Sequence, residues 1–409
     1  MTGKAGPTIR RSSGRVPSKP TCRLAKWLLL SAPTAYLTAV SKTVAHVPVV
    51  GTQLQPIADA AAMCAWIYRQ VPGFFETATR SKRGDAEPRR QHYSHRATVE
   101  ACERSFSGLV SVDPAEWPPP LRRPPVLDRS ELRRRYVYRA DVPYGHDPAQ
   151  VLDVWRASAA PLSPAPILIY VPGGAWVHAS RRYQGHTLLA HLAERGWLCL
   201  AIDYRVAPRH RWPRHIMDVK AAIAWTRANA ASLGGDPTFV AIAGASAGGH
   251  LATLAAVSPG DAVFDSELAK TGTAVDVAVS LYGRYDWEDR STPERARFMG
   301  FLEHLIVRQT QRSAPEVFRR ASPIARIGED APPMLIVHGS GDSVIPVGQA
   351  RDFVEQLRLR SPSFVGYLEM PGAQHAFDLI DGARTGVACS AIGRFLDAMY
   401  REHCRSLVG

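Results

Sequence analysis

At 409 residues the chain is long for one domain and short for three, so one large domain with an extension is the expected organisation. Hydrophobic residues at 45% and charged residues at 21% are ordinary for a globular protein and leave material for a sizeable buried core. The formal charge of +13 is unusual: residues 1–139 hold 23 Lys/Arg against 10 Asp/Glu, whereas residues 140–409 hold 27 of each.

A basic block can serve an anionic membrane or cell-envelope surface, nucleic acid, or solvation alone. Neither zinc spacing nor an aromatic RNA-binding motif accompanies it, so no nucleic acid is expected as a partner. The six cysteines (Cys22, Cys64, Cys102, Cys199, Cys389 and Cys404) lie far apart, with no C-x-x-C and no histidine at zinc spacing. No structural metal and no cofactor are expected.

Residues 1–26 are polar and basic with Gly, Pro and Ser throughout, the composition of a disordered tail. From Trp27 to Val40 no charge occurs, and Ser31, Thr34, Thr38 and Ser41 recur at helical spacing. That run is shorter than the roughly 20 residues of a membrane span, and no small-residue cleavage pattern of a signal peptide follows at once. It predicts a helix lying on the catalytic domain or on a lipid surface. A weakly helical region and a basic, polar stretch around Arg80–Arg96 follow, and Pro118–Pro125 (PPPLRRPP) reads as a stiff linker. The expected divisions are therefore 1–26, a helical extension with linker over 27–125, and a catalytic domain over 126–409.

After Arg133 the pattern becomes strand and helix in alternation. Short strands are expected at Tyr136–Val142, Val151–Trp155, Ile167–Val171, Leu198–Ile202, Phe239–Ala243, Val275–Leu281, Leu335–His338 and Val365–Glu369. Helices are expected near 186–195, 215–231, 247–257, 347–359 and 385–403, with 284–325 a possible cap insertion. Val/Ile/Leu-rich strands that alternate with helices predict an α/β fold with a mostly parallel central sheet and helices on both faces.

Gly244-Ala245-Ser246-Ala247-Gly248 follows the strand FVAIA and precedes the helical run GGHLATLAAV. A G-x-S-x-G turn between strand and helix lifts its serine out of the sheet and aims the helix N-terminus at it. A serine hydroxyl needs a base and a group that orients the base. Asp342 follows the strand MLIVHG, and His375 follows the strand ending in FVGYLEM, both at the same lip of the sheet. Asp286, after VAVSLYG, is the rival acid. Oxyanion donors are expected from the N–H of Ala247 and from the loop Pro172-Gly173-Gly174-Ala175-Trp176, where Pro172 has no N–H. Gly174 is the first choice there, with Gly173 or Ala175 beside it. Trp176 is expected to shape the substrate pocket.

The set YVPGGAW, AIDYRVAP, GASAGGHLA, HGSGDSVIP and PGAQHAF resembles the hormone-sensitive-lipase-like carboxylesterases, particularly the actinobacterial lipase/esterase paralogues. The resemblance spans residues 135–405 and implies an α/β-hydrolase fold. It also implies Ser246, Asp342 and His375 as a catalytic triad, and Gly173, Gly174 and Ala247 as the oxyanion hole. Asp203 and Arg205 in DYRVAP look like the family's structural signature, here read as an ion-paired support. Three departures stand out: Pro172 where the family has His, Ala175 for its third glycine, and Ala245 for the acid before the serine. The expected activity is serine-dependent hydrolysis of short- to medium-chain acyl esters or lipids, at a membrane or cell envelope or else in the cytoplasm. The alternatives are an amide-cleaving relative such as an arylformamidase and a non-catalytic binding protein on the same fold.

Overall fold

The protein, described here by a computed structural model, is defined over residues 87–105, 116–158, 164–265 and 272–407. The basic tail expected over 1–26 and the apolar helix expected over 27–40 lie outside the described residues.

Among the described residues eight strands form one sheet: β1 (Val137–Pro143), β2 (Val151–Trp155), β3 (Ala165–Val171), β4 (Leu198–Ile202), β5 (Gly235–Ala245), β6 (Val277–Leu281), β7 (Met334–Gly339) and β8 (Val365–Met370). Their spatial order is β1-β2-β4-β3-β5-β6-β7-β8. β2 runs antiparallel to β1 and β4, and every other pairing is parallel. This is the α/β-hydrolase arrangement. The chain leaves β3 for β4 on one side and returns to β5 on the other, so the order reverses at β3. Loops leaving the carboxyl ends of two strands at such a reversal diverge, and the crevice between them is where α/β sheets place their sites.

Among the described residues ten α-helices accompany the sheet: α1 (Glu87–Ser105), α2 (Arg129–Tyr136), α3 (His186–Glu194), α4 (Arg214–Asn229), α5 (Ala247–Ala256), α6 (Pro293–Phe301), α7 (Pro315–Ala321), α8 (Gly348–Arg360), α9 (Phe377–Ile380) and α10 (Gly382–Ser406). Strand residues alternate between two cores because successive side chains point to opposite faces. Ile167, Ile169 and Val171 join Ile216 and Val219 of α4, Leu251 of α5 and Phe353 of α8. Leu168 and Tyr170 join Leu188 and Leu189 of α3 and Val387, Ile392 and Phe395 of α10. Both faces being covered explains why β3–β7 read as unbroken apolar runs.

Three features differ from the sequence reading. The basic stretch near Arg96 is helical: α1 buries Thr98, Ala101 and Cys102 and lies on α10 and β8. So few apolar residues on an otherwise charged helix give no periodic signal. The proline-rich stretch is a strap on α10 rather than a free spacer, since the Leu121 N–H donates to the Gly382 carbonyl at 2.9 Å and His95 Nε2 lies 2.7 Å from the Pro118 carbonyl. α2 was not expected, because only Tyr136 of its eight residues is buried. The segment 284–325 folds as α6, a π-helical turn (Leu302–Val307) and α7, and buries Met299, Leu302, Ile306 and Phe318 in the core that holds α4 and α5.

An ion cluster ties the edge strands to the loop before α3. Arg181, 3% exposed, donates through Nε to Asp153 at 2.9 Å and pairs with Asp141 and Asp203. Arg133 of α2 reaches the other Asp153 oxygen at 2.6 Å. Burial would raise the Asp153 carboxyl, but a backbone N–H and the two arginines hold it below its ordinary value. Asp203 and Arg205 each support the fold through other partners rather than each other. Arg205 pairs with Asp218, Nε to Oδ2 at 2.9 Å. Removing one member of a buried ion group strands the rest, at about 3–5 kcal/mol. Arg181→Met should therefore lower the unfolding free energy in urea by that amount. Arg181→Lys should recover little, lacking the fork that serves three carboxylates.

Candidate active site

Ser246 stands between β5 and α5 at φ 56°, ψ −120°, a left-handed conformation that costs about 1–3 kcal/mol for a non-glycine residue. The surroundings hold it there. Its N–H donates to the Leu281 carbonyl at 2.9 Å, and its carbonyl accepts from the His250 N–H at 3.0 Å. A Cβ on Gly248 would run into the carbonyl of Val171 at the end of β3, and one on Gly244 would strike the backbone of Gly248. Both positions must be glycine for the turn to sit against β3, and the G-x-S-x-G spacing follows from that contact.

The exits of β7 and β8 bring the other two groups. His375 Nε2 lies 2.9 Å from Ser246 Oγ, and Nδ1 lies 2.8 Å from Asp342 Oδ2. A carboxylate only accepts, so Nδ1 carries the proton and the neutral ring's Nε2 faces the serine O–H as an acceptor. Asp342 Oδ1 accepts the N–H groups of Val344 and Ile345 at 2.9 and 2.8 Å. Burial by itself would raise the Asp342 carboxyl, but the electrostatic pull of the His375 ring and hydrogen bonds from His338 and His375 hold it well below the usual carboxylate range. His338, at the end of β7, is a further support absent from the sequence reading. Its Nε2–H donates to the Ile345 carbonyl at 2.8 Å and lies 3.4 Å from Asp342 Oδ2. Asp286 is not part of the row. Its carboxylate accepts the Glu288 N–H at 2.7 Å, and its carbonyl accepts from Arg284 Nε at 3.1 Å.

The loop after β3 lies across Ser246, with the Cβ of that residue 3.0 Å from where a Cβ on Gly173 would be. The expectation for Gly173 needs correction. Its N–H donates to Gln184 Oε1 at 2.6 Å and is spent there. A Cβ on Gly174, at φ +125°, would collide with the His178 backbone. Ala175 holds φ 53°, a conformation that favours glycine. Ala247 opens α5, and a first-turn N–H has no partner within its helix. With the Gly173 N–H taken, Gly174, Ala175 and Ala247 are left as the candidate oxyanion donors, Ala175 standing where Gly173 was expected.

Trp176 also departs from expectation. It is 1% exposed, and its ring meets His250, Trp287 and Phe298 edge-on at 5.2, 5.0 and 6.1 Å. Its carbonyl accepts the Ala207 N–H at 2.9 Å and faces His215 Nε2 at 3.1 Å. It anchors the loop to the core and offers substrate no free surface. Gln184, Tyr282 and Asp378, all near the row, carried no motif that singles them out.

Residues 152–357 match the BD-FAE family, a stretch that includes Ser246 and Asp342 and ends before His375. The chain is 52% identical to the esterase LipC of Mycobacterium tuberculosis over 93% of its own length and 95% of that protein's. It is 43% identical to the probable carboxylic ester hydrolase LipM of the same organism, over 72% of this chain and 68% of LipM. Among solved structures, a truncated carbohydrate esterase from gut microbiota superposes with a TM-score of 0.54 at 26% identity, covering 65% of this chain and 97% of that one. An identity of 52% across nearly the whole of both chains, on an α/β-hydrolase sheet, makes this chain a member of the hormone-sensitive-lipase-like carboxylesterases and a carboxylic-ester hydrolase.

Proposed function

We propose that the enzyme cleaves short- to medium-chain acyl esters through an acyl-enzyme on Ser246. The observation that carries this is the row Asp342–His375–Ser246, with both ring nitrogens within hydrogen-bond reach of their partners. His375 takes the serine proton as Oγ attacks the ester carbonyl, then gives it to the leaving alcohol. It next takes a proton from water as that water attacks the acyl-enzyme, and returns it to Ser246 Oγ as the acid is released. Asp342 stays ionised throughout and keeps the imidazole tautomer. The tetrahedral oxyanion is met by the N–H groups of Ala247, Gly174 and Ala175, each worth about 3 kcal/mol of barrier.

The limit on acyl length rests on the aromatic block beside the serine. His250, one helical turn after Ser246, stacks on Trp287 at 4.7 Å, and Trp212 and Trp176 close the same cluster. These rings belong to the buried core beside α5, and on this reading they leave the acyl group little depth. With p-nitrophenyl acetate, butyrate, hexanoate, laurate and palmitate, kcat/KM should peak among the first three. A maximum at palmitate would remove this argument. An arylformamide in the same series should be turned over more slowly than the best ester.

Ser246→Ala should lose about a millionfold in turnover and all labelling by a fluorophosphonate. Asp342→Asn should lose about four decades, since an amide favours the wrong histidine tautomer. Asp286→Asn should lose far less, and a reversal of that order would make Asp286 the acid.

The location of the enzyme rests on charge. We propose that residues 1–130 hold it at an anionic membrane or cell-envelope surface, because the whole excess of positive charge lies in residues 1–139 beside the uncharged run 27–40. Each basic residue near such a surface adds about 1 kcal/mol. Deleting residues 1–26 and replacing Leu28, Leu29 and Leu30 by Ser should weaken binding to phosphatidylserine vesicles while soluble-ester turnover persists. Full-length protein that ignores those vesicles at low salt would end the idea.

A further inference from the structure

The loop between β3 and α3 is pinned at both of its ends by one side chain. Gln184 lies at its far end and is buried, yet its Oε1 accepts the Gly173 N–H at the near end. Its Nε2 donates to the Tyr282 hydroxyl at 3.0 Å, and that hydroxyl donates to Asp378 Oδ1. The direction of every bond is forced. A backbone N–H can only donate, so the amide oxygen must face Gly173 and the amide nitrogen must face the phenol. With that nitrogen donating to it, the hydroxyl spends its proton on the carboxylate.

The row passes directly beneath the catalytic base. Tyr282 is fully buried, and its ring meets that of His375 edge-on at 4.8 Å. Asp378 lies three residues after His375, on the turn of α9, and Tyr282 follows β6 directly with its N–H on the Val337 carbonyl at 2.7 Å. Gly173 itself is gripped from the other side, since a Cβ there would be 2.7 Å from the Ala245 carbonyl. The oxyanion loop, the histidine loop and the serine turn therefore share one connected set of contacts.

We propose that Gln184 and Tyr282 are positioning residues for the oxyanion hole. By holding the Gly173 N–H turned toward Gln184, they set the following peptide units so that the N–H groups of Gly174 and Ala175 face the oxyanion at Ser246. The Tyr282 ring meanwhile fixes the plane of His375. The proposal rests on the reading of Ser246 as nucleophile. Preorganised donors act on the transition state and scarcely on the bound ester, and a displacement of about 1 Å can cost a hundredfold in rate.

The test compares wild type, Gln184→Leu, Gln184→Glu, Tyr282→Phe and Ser246→Ala. Readouts are kcat and KM for a soluble butyrate ester, the inhibition constant of a trifluoromethyl ketone, and the melting temperature. Gln184→Leu should lose about a hundredfold in kcat with KM nearly constant, and its affinity for the ketone should fall by the same factor. Gln184→Glu keeps the acceptor for Gly173 and should recover most of the loss. Tyr282→Phe keeps the ring on His375 and should lose about tenfold, because the amide then has no fixed orientation. A residue that only supports the fold would lower the melting temperature while leaving kcat and ketone affinity of the folded enzyme unchanged, and that result would overturn the proposal. If Gln184→Leu does not fold, the same criterion applies to Tyr282→Phe. Ser246→Ala keeps the two readings apart: retained turnover there would defeat the nucleophile assignment, whereas its loss beside unaltered Gln184 and Tyr282 variants would defeat the positioning role alone.

Discussion

Backbone meets backbone where β3 and β5 leave the sheet, and the rest of the site depends on that contact. Three glycines make it possible. Gly173 lies over Ala245 and Ser246, Gly248 lies under Val171, and Gly244 lies against Gly248, with no room for a Cβ at any of them. Side chains at Gly173 or Gly248 would force the β3 exit and the serine turn apart. The conformational entropy that glycine costs the folded chain, about 0.5–1 kcal/mol each, is offset by a geometry no other residue permits. The strain at Ser246 is held by the same contact, because β3 and β6 leave its turn nowhere to relax.

Electrostatics then secures what close packing positions. The loop that carries the glycines is tied at Arg181, whose cation answers carboxylates from β1, β2 and the exit of β4. Asp342 is a second case of a charge kept inside the protein by many small terms. Two backbone N–H groups and two imidazoles surround one carboxylate, and together they outweigh the cost of burying it. Each of these devices fixes a loop end, where catalytic groups stand, rather than the middle of a strand.

The sheet was largely legible because periodicity and strand length report burial directly, and strands such as Val151–Trp155 and Leu198–Ile202 have the bounds their residues suggest. The serine, the acid and the histidine were legible for a different reason: a tight turn, or a strand end followed by glycine, restricts which residues can stand there. Which N–H points where was not legible. Gly173 and Ala175 are close neighbours in sequence, and the side chain that takes the Gly173 N–H comes from Gln184, 11 residues on. Trp176 looked like a pocket residue because it follows the glycines, but its partners His250, Trp287 and Phe298 come from segments more than 70 positions away. α1 escaped because a helix that buries one narrow edge gives no periodic signal.

The strap formed by residues 118–125 bears on where this chain can be cut. Leu121 hydrogen-bonds to Gly382 at the start of α10, α1 lies on the same helix, and Arg394 of α10 reaches Glu116 at 2.9 Å. α10 in turn supplies much of one core of the sheet. A fragment trimmed to begin at the first strand would hold every catalytic group and still bare an apolar helix face to water. The smallest piece able to fold alone is therefore larger than the smallest piece that contains the chemistry, and the difference lies upstream of the sheet.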